Sequence, residues 1–148
     1  MPRKLAVAIV LGGFLAGAAC SSGTTKAGFI QAAAPVCATA NNATGGLPTP
    51  PANPSVQQAE PFYQAIIRVT QSLYNGLKGL KQPPSDPQLN AIYADLNAMM
   101  SNARQIYNDL QSGDLQGAQS LRDTFINDVA DAQSAFTAYG LTACGQSS

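Results

Sequence analysis

The sequence predicts an all-α fold: an antiparallel up-down bundle of four helices with a short or kinked first helix and one disulfide. Apolar residues recur at steps of three and four along four separate stretches, and no stretch alternates apolar and polar residues as strands do. Segments rich in proline or glycine separate the four stretches. We therefore expect one helical domain over residues 26–148, preceded by a leader and a short tether.

Residues 1–19 have the order of a secretory signal peptide. Two basic residues, Arg3 and Lys4, come first, and an uncharged run follows that ends in small residues at Ala19. The run is about 15 residues long, shorter than the roughly 20 that a membrane-spanning helix needs, which disfavours a permanent span. An ordinary signal for soluble secretion, cleaved nearby, remains an alternative. In either case the sequence predicts export.

Cys20 is the predicted site of lipid attachment. The small residues before it and Ser21-Ser22-Gly23 after it resemble the lipobox of bacterial lipoproteins, in which the cysteine takes a diacylglycerol thioether and becomes the new N-terminus. Gly17 departs from this pattern, because that position is usually Leu or another aliphatic residue. The resemblance implies a lipoprotein whose fatty acids, such as palmitate, anchor it to the outer face of the cell membrane, with residues 20–25 as the tether.

The charge of the mature chain argues against binding to nucleic acid. Removing Arg3 and Lys4 with the leader leaves six basic residues against eight acidic ones. A protein that binds phosphate backbones needs a clustered basic face. The six basic residues are instead scattered along the sequence: Lys26, Arg68, Lys78, Lys81, Arg104 and Arg122.

Cys37 and Cys144 are expected to form a disulfide. They remain as an even pair if Cys20 carries lipid, and an exported protein meets an oxidising environment. A catalytic cysteine would need a histidine as its base, and the chain contains none. Two distant cysteines without further soft ligands would make an incomplete metal site.

The first predicted helix begins at a cap on Thr24 or Thr25, or else only near Pro35. A proline inside a helix removes one hydrogen bond and clashes with the preceding turn, so Pro35 predicts a kink or a late start. In an up-down bundle the end of the fourth helix lies beside the start of the first. With the early start, Cys37 lies roughly 18 Å along the first helix, but residues 141–144 after the fourth helix span at most about 14 Å. A disulfide to Cys144 would then require the first helix to overhang the bundle. The apolar residues that recur at helical spacing in this segment are Phe29, Ile30, Ala33, Cys37 and Ala40.

A loop rich in proline and glycine at residues 45–54 separates the first two helices. The second helix is predicted to start at Ser55 or Pro61 and to end near Leu80, since Pro61 is acceptable only in a first turn. Lys81-Gln82-Pro83-Pro84 follows it. The predicted core stripe of this helix is Phe62, Ile66, Val69, Leu73, Leu77 and Leu80.

The third helix has the clearest pattern in the chain. Ser85-Asp86-Pro87 combines a capping side chain with a proline at the first helical position. About 22 residues of alternating three- and four-residue spacing follow. The predicted core stripe is Leu89, Ile92, Leu96, Met99, Ala103, Ile106 and Leu110, flanked by Tyr93, Met100 and Tyr107.

A very short turn, Ser112-Gly113-Asp114, leads into the fourth helix. A turn of this length makes the third and fourth helices antiparallel neighbours. Gly140 is the predicted stop, with Leu141 placed for the hydrophobic contact that often accompanies a glycine cap. The predicted apolar face of the fourth helix is Leu115, Ala118, Leu121, Phe125, Val129, Ala132, Phe136 and Tyr139.

Taken together, these marks resemble a group of small exported or lipid-anchored helical proteins of high-GC Gram-positive bacteria. The resemblance covers nearly all of the mature chain, and its motifs are mostly structural. It therefore implies the helical fold and the disulfide and implies no activity. The residues that carry it are Phe29-Ile30, Val36-Cys37-Ala38, Leu77, Leu80, Pro83-Pro84, Gly113-Asp114, Tyr139-Gly140-Leu141 and Cys144-Gly145.

Four tyrosines are candidates for a ligand groove between the second and third helices: Tyr63, Tyr74, Tyr93 and Tyr107. Such side chains bury their rings and leave the hydroxyl at the rim, so structural packing is the competing interpretation. Asp128 and Asp131 are interpreted as solvated residues, because no calcium-binding loop accompanies them. Met99 and Met100 are interpreted as helix packing and not as soft-metal ligands. No metal or cofactor is expected.

Enzymatic activity is not expected, because the chain has no histidine and its one glutamate, Glu60, lies near a helix start. Two functions remain. One is a lipid-anchored interaction or scaffold module of the cell envelope that binds an envelope protein. The other is a binder of a small apolar or amphiphilic ligand. A filled core with only surface grooves would favour the first, whereas an enclosed apolar pocket of a few hundred Å³ between the second and third helices would favour the second.

Overall fold

The structure is a computed structural model, and it describes residues 24–47 and 54–146. These residues form four helices and no strand: α1 (Lys26–Gly45), α2 (Val56–Gly79), α3 (Pro87–Ser112) and α4 (Leu115–Tyr139). Each helix packs on the next one along the chain. The prediction of an all-α antiparallel bundle is confirmed. The leader 1–19, Cys20, most of the tether and residues 48–53 of the loop lie outside the described residues.

Helix α1 begins at the early of the two predicted starts. The Thr25 side chain caps it by accepting a hydrogen bond from the Gly28 N–H at 3.1 Å. The helix continues through Pro35, and a start near Pro35 is therefore wrong. Pro35 and Gln31 are exposed, so water can reach the Gln31 carbonyl that lacks a donor from the proline. With 20 residues, α1 is the shortest of the four helices.

The predicted ends of α3 and α4 are confirmed by their capping contacts. Asp86 accepts a hydrogen bond from the Leu89 N–H at 3.1 Å, and Asp114 accepts one from the Gly117 N–H at 2.9 Å. Gly113 closes α3 in the left-handed conformation with φ 80°. Both helices are thus set by local chemistry that is visible in the sequence.

Helix α2 begins after Ser55, the first of its two predicted starts. The Ser55 N–H donates to the Gln58 side chain at 3.0 Å, as in a capping box. Pro61 is the sixth residue of the helix and is exposed, so the alternative start at Pro61 is wrong. The helix ends at Gly79, one residue before the predicted end.

The core consists of two clusters at opposite ends of the bundle. All four helices and the segment after α4 contribute to the first, whereas only α2, α3 and α4 contribute to the second. The helical stripe of α3 is confirmed except at Met99, which is half-buried, whereas the flanking residues Tyr93 and Met100 are buried. Leu115 was expected in the core of α4 but lies exposed at its first position.

The predicted disulfide is confirmed, with 4.7 Å between the Cα atoms of Cys37 and Cys144. Helix α1 overhangs the end of α4 by about one turn, since Tyr139 packs on Phe29 with 6.2 Å between ring centroids. The segment after α4, residues 141–146, then runs along α1, and Asn41 donates a hydrogen bond to the Ala143 carbonyl. This segment, called the tail below, covers the remaining distance to Cys37.

Among residues 24–47 and 54–146, the bundle is open between α1 and α4. These two helices do not approach each other as closely as consecutive helices do. At one end the gap is filled by Phe29, Tyr139 and the tail. Further along α1 no side chain of the second core cluster comes from that helix. This open side determines where a ligand has room.

Candidate functional site

An apolar cleft of about 450 Å³ lies in the open side of the bundle. Its walls are the second half of α1, the middle of α2 and the middle of α4, and α3 supplies its floor. The lining includes Ala40, Asn41, Thr44, Phe62, Ile66, Val69, Leu73, Leu96, Met99, Phe125, Ile126, Val129, Ala132, Gln133, Phe136, Cys144 and Gln146.

The cleft exists because α1 contributes small side chains where a bundle helix would usually contribute large ones. The residues of α1 that face it are Ala40, Thr44 and Gly45, together with Asn41 at the rim. On the opposite wall, Ala132 of α4 is also small. Close packing of four helices would need larger residues at these positions, so a space remains along α2.

The cleft also explains a difference from the predicted core of α2. The stripe from Phe62 to Leu80 was expected to be buried, but only Leu77 is; the other members are half-buried. Four of them, Phe62, Ile66, Val69 and Leu73, line the cleft instead. The residues of α2 that are buried lie partly to one side of that stripe: Ala59, Tyr63, Thr70 and Leu77.

The chemistry of the lining is apolar with a polar rim. No lysine, arginine, aspartate or glutamate lines the cleft in the described part of the chain. Side-chain amides and hydroxyls are supplied by Asn41, Thr44, Gln133 and Gln146 and by the buried Thr70. A charged ligand group would lose hydration there without gaining an opposite charge. The cleft is therefore suited to an uncharged molecule that has an apolar portion and a few hydrogen-bonding groups.

Two of the predicted groove tyrosines, Tyr74 and Tyr93, lie together near the end of α2. Their ring centroids are 5.5 Å apart in an edge-to-face arrangement, and the Lys78 ammonium lies 3.9 Å from the centroid of Tyr93. The Tyr93 hydroxyl donates to the Gln82 side chain at 2.9 Å. Burial raises the pKa of Tyr93 above its ordinary value, so the hydroxyl stays protonated near neutral pH.

The other two tyrosines lie in the second core cluster. Tyr63 is buried against Phe125, with 5.7 Å between ring centroids, and its burial raises its pKa. Tyr107 is half-buried and donates toward Glu60 at 3.5 Å. The structure thus places the four tyrosines in two separate sets, and none of them lines the cleft.

The strongest electrostatic perturbation lies away from the cleft, where α4 ends beside the start of α3. The Tyr139 hydroxyl donates to Asp86 Oδ2 at 2.6 Å. This hydrogen bond holds the pKa of Asp86 below its ordinary value, whereas burial raises the pKa of Tyr139 well above its own. Because Asp86 also caps α3, the pair joins the two helices and has a structural role.

The residues that were weighed as metal ligands lie in different parts of the bundle. Asp128 accepts a hydrogen bond from the Asn102 side chain, and Asp131 is exposed. Met99 lines the cleft, whereas Met100 is in the core. Within residues 24–47 and 54–146, no three potential metal-ligating side chains of Cys, Asp or Glu come together.

The sequence pattern does not predict the cleft. It predicts that the α2 wall is apolar but places that wall in the core. The available signal was the run of small residues in the second half of α1, opposite a wide apolar stripe on α2.

No described helix is both long enough and apolar enough to cross a membrane. Comparison of the chain with protein families, with curated proteins and with solved structures gives no match.

Proposed function

We propose that the mature protein is a non-enzymatic binding module of the cell envelope that takes up an uncharged amphiphilic molecule in the cleft. In this proposal a lipid on Cys20 holds it on the outer face of the cell membrane. The single observation that carries the binding function is the uncharged apolar cleft of about 450 Å³. Small-molecule sites have volumes of roughly 300–1,000 Å³ and are mostly apolar with a few polar groups.

The shape of the cleft supports an elongated ligand. Its lining residues on α2 run from Phe62 to Leu73, and those on α4 run from Phe125 to Phe136. Eleven residues of helix correspond to roughly 16 Å. An apolar chain would lie between the two helices, with a polar group near Asn41 and Gln133 at the rim.

The cleft also separates the two functions that the sequence left open. The cleft is open on one side and is not the enclosed pocket between α2 and α3 that was expected of a ligand binder, but it offers apolar space that a ligand can enter. The open side between α1 and α4 supplies such space. It supports the ligand binder, with the binding space on the α1 side of α2 and not on the α3 side.

Binding is tested with Ala40→Phe, which fills the cleft. Ala40 is half-buried on its wall. An uncharged fluorescent probe of apolar sites, such as Nile red, is titrated into the wild type and the variant. We expect the variant to bind the probe at least about tenfold more weakly, because the ring occupies space that the probe needs.

The matched control is Ala38→Phe, which adds the same ring two residues earlier on the exposed side of α1. It should bind the probe as the wild type does. Equal binding by all three proteins would contradict the proposal. Mass analysis of organic extracts from protein purified from its own membranes then identifies the natural ligand.

The anchor is tested independently with Cys20→Ser. Wild-type protein should partition into a detergent phase and begin at an acylated Cys20, because two or three acyl chains hold a protein firmly to a bilayer. The variant should remain uncleaved or appear unanchored in the medium. Wild-type protein that is recovered without detergent and begins at another residue would contradict the anchor but not the cleft.

A further inference from the structure

All three lysines among the described residues lie at one end of the bundle. Lys26 is the first residue of α1, Lys78 is in the last turn of α2, and Lys81 follows that helix by two residues. This end consists of the start of α1, the connection between α2 and α3, the start of α3 and the end of α4. We call it the lysine end.

Contacts within the lysine end show that these segments meet. Lys26 Nζ donates to the Gln88 side chain of α3 at 2.9 Å and lies 4.1 Å from the ring centroid of Tyr139 in α4. Lys78 packs on Tyr93 of α3. All three lysines are nonetheless exposed. Helix α1, helix α2 and the connection after α2 therefore present three ammonium groups at one end of the bundle.

The acidic residues are distributed in the opposite way. Asp86 is the one carboxylate of the described residues at the lysine end, and it is hydrogen-bonded to Tyr139 and to the N-terminus of α3. The next carboxylates, Asp95 and Asp131, lie about two turns into α3 and about two turns before the end of α4. The lysine end thus carries three positive charges against one negative charge. The rest of the described chain carries three arginines against seven carboxylates.

We propose that the lysine end is a docking surface for a membrane containing anionic phospholipids. Lysines extend their ammonium groups toward headgroups while their alkyl stems stay on the protein, and each lysine near an anionic surface strengthens binding about fivefold. The negative charge of the remaining bundle is repelled by the same surface. This distribution of charge therefore favours the orientation in which the lysine end faces the membrane.

The position of the first described residue supports a membrane as the partner of the lysine end. Thr24, the first described residue, lies at the lysine end, four residues after Cys20. The proposed lipid would thus bring this end, and not the acidic body, to the bilayer. Only this placement at the bilayer rests on the proposed lipid at Cys20. The proposed docking goes beyond the cleft, whose far end at Thr44 would lie away from the bilayer, roughly 27 Å along α1 from Lys26.

The test measures binding of unacylated protein to vesicles. All proteins start at position 20 and carry Cys20→Ser; every helix, both core clusters and the disulfide lie within residues 24–146. Co-sedimentation is measured with neutral phosphatidylcholine vesicles and with vesicles containing about 30 % phosphatidylglycerol. We expect at least about tenfold tighter binding to the anionic vesicles, lost at about 0.5 M salt because of screening.

Two triple variants separate placement from overall charge. Lys26→Gln, Lys78→Gln and Lys81→Gln together should abolish the preference for anionic vesicles. Arg68→Gln, Arg104→Gln and Arg122→Gln remove the same charge elsewhere and should leave the preference intact. If the lysine variant fails to fold, Lys81→Gln alone should weaken binding about fivefold.

Equal losses in the two triple variants would overturn the proposal, as would equal binding of the wild type to both kinds of vesicle. Both results are independent of acylation, because Cys20 is absent from every protein in the assay. They are independent of the cleft ligand, because none of the six substituted residues lines the cleft. The mass of the acylated N-terminus and the probe titration report on those two proposals separately.

Discussion

At the scale of single residues, Gly140 determines the path of the chain after α4. Its φ of 101° lies in a region that residues with a side chain rarely adopt. A Cβ atom at this position would also lie 3.0 Å from Cδ1 of Ile30. The Leu141 N–H donates back to the Phe136 carbonyl at 2.8 Å. This turn sends the tail along α1 and allows Cys144 to reach Cys37.

Leu96 of α3 should contribute strongly to stability. It is 1 % exposed in the first core cluster and also forms part of the cleft floor. Leu96→Ala should lower the free energy of unfolding by about 2–5 kcal/mol through lost burial and the cavity left behind. Asn97 is exposed on the same helix, and Asn97→Ala should change it by less than about 0.5 kcal/mol. Urea denaturation measures both. Similar effects at the two positions would show that the buried face is assigned wrongly.

At the scale of elements, α1 packs closely on α2 at Gly76. A Cβ atom there would lie only 2.6 Å from Cγ1 of Val36. Valine is branched at Cβ and has little freedom to move aside in a helix. The absence of a side chain at Gly76 therefore lets α1 and α2 pack directly. This matters because, of the three other described helices, only α2 has close backbone contact with α1.

Gly76→Ala should loosen the packing of α1 on α2. Overpacking of this kind costs about 1–3 kcal/mol in the free energy of unfolding, and the loss should be accompanied by faster hydrogen exchange in α1. Gly79, three residues later in α2, has no atom within 4 Å of an added Cβ. Gly79→Ala should change the free energy of unfolding by less than about 0.5 kcal/mol or raise it. Equal effects of the two substitutions would rule out the close approach as the cause.

At the scale of the whole molecule, the disulfide closes a bundle that is otherwise open on one side. Helices α2, α3 and α4 share the second core cluster, whereas α1 enters only the first. The bridge joins α1 to the tail and thereby to the end of α4, across 107 residues of sequence. It holds together one wall of the cleft, since Cys144 is among the lining residues.

Reduction should destabilise the protein and release α1. Closing a loop of this length contributes up to about 4–5 kcal/mol in the chain-entropy model. Thermal unfolding with and without reductant should show a clearly lower melting temperature when the disulfide is reduced. The double variant Cys37→Ser and Cys144→Ser should melt like reduced protein and be insensitive to reductant. Two free thiols in unfolded, unreduced protein would refute the pairing.

The sequence by itself determined the elements and most of their ends. Asp86, Gly113, Asp114 and Gly140 act on backbone groups within a few residues of themselves, so their effect is local and predictable. The cysteine pair followed from the count of cysteines and the predicted compartment. The face of α3 was predicted correctly except at Met99, which is half-buried while the neighbouring Met100 is buried.

Only the tertiary structure decided how the elements meet. Apolar spacing shows that one face of α2 is hydrophobic, but not whether a neighbour fills the space beside it. The small residues of α1 leave Phe62, Ile66 and Val69 lining a cleft, because α1 packs on α2 without closing against α4. The lysine end is likewise a product of folding, since Lys26 and Lys81 are 55 positions apart in the sequence. Burial and surface charge depend on contacts between distant segments, which local patterns do not specify.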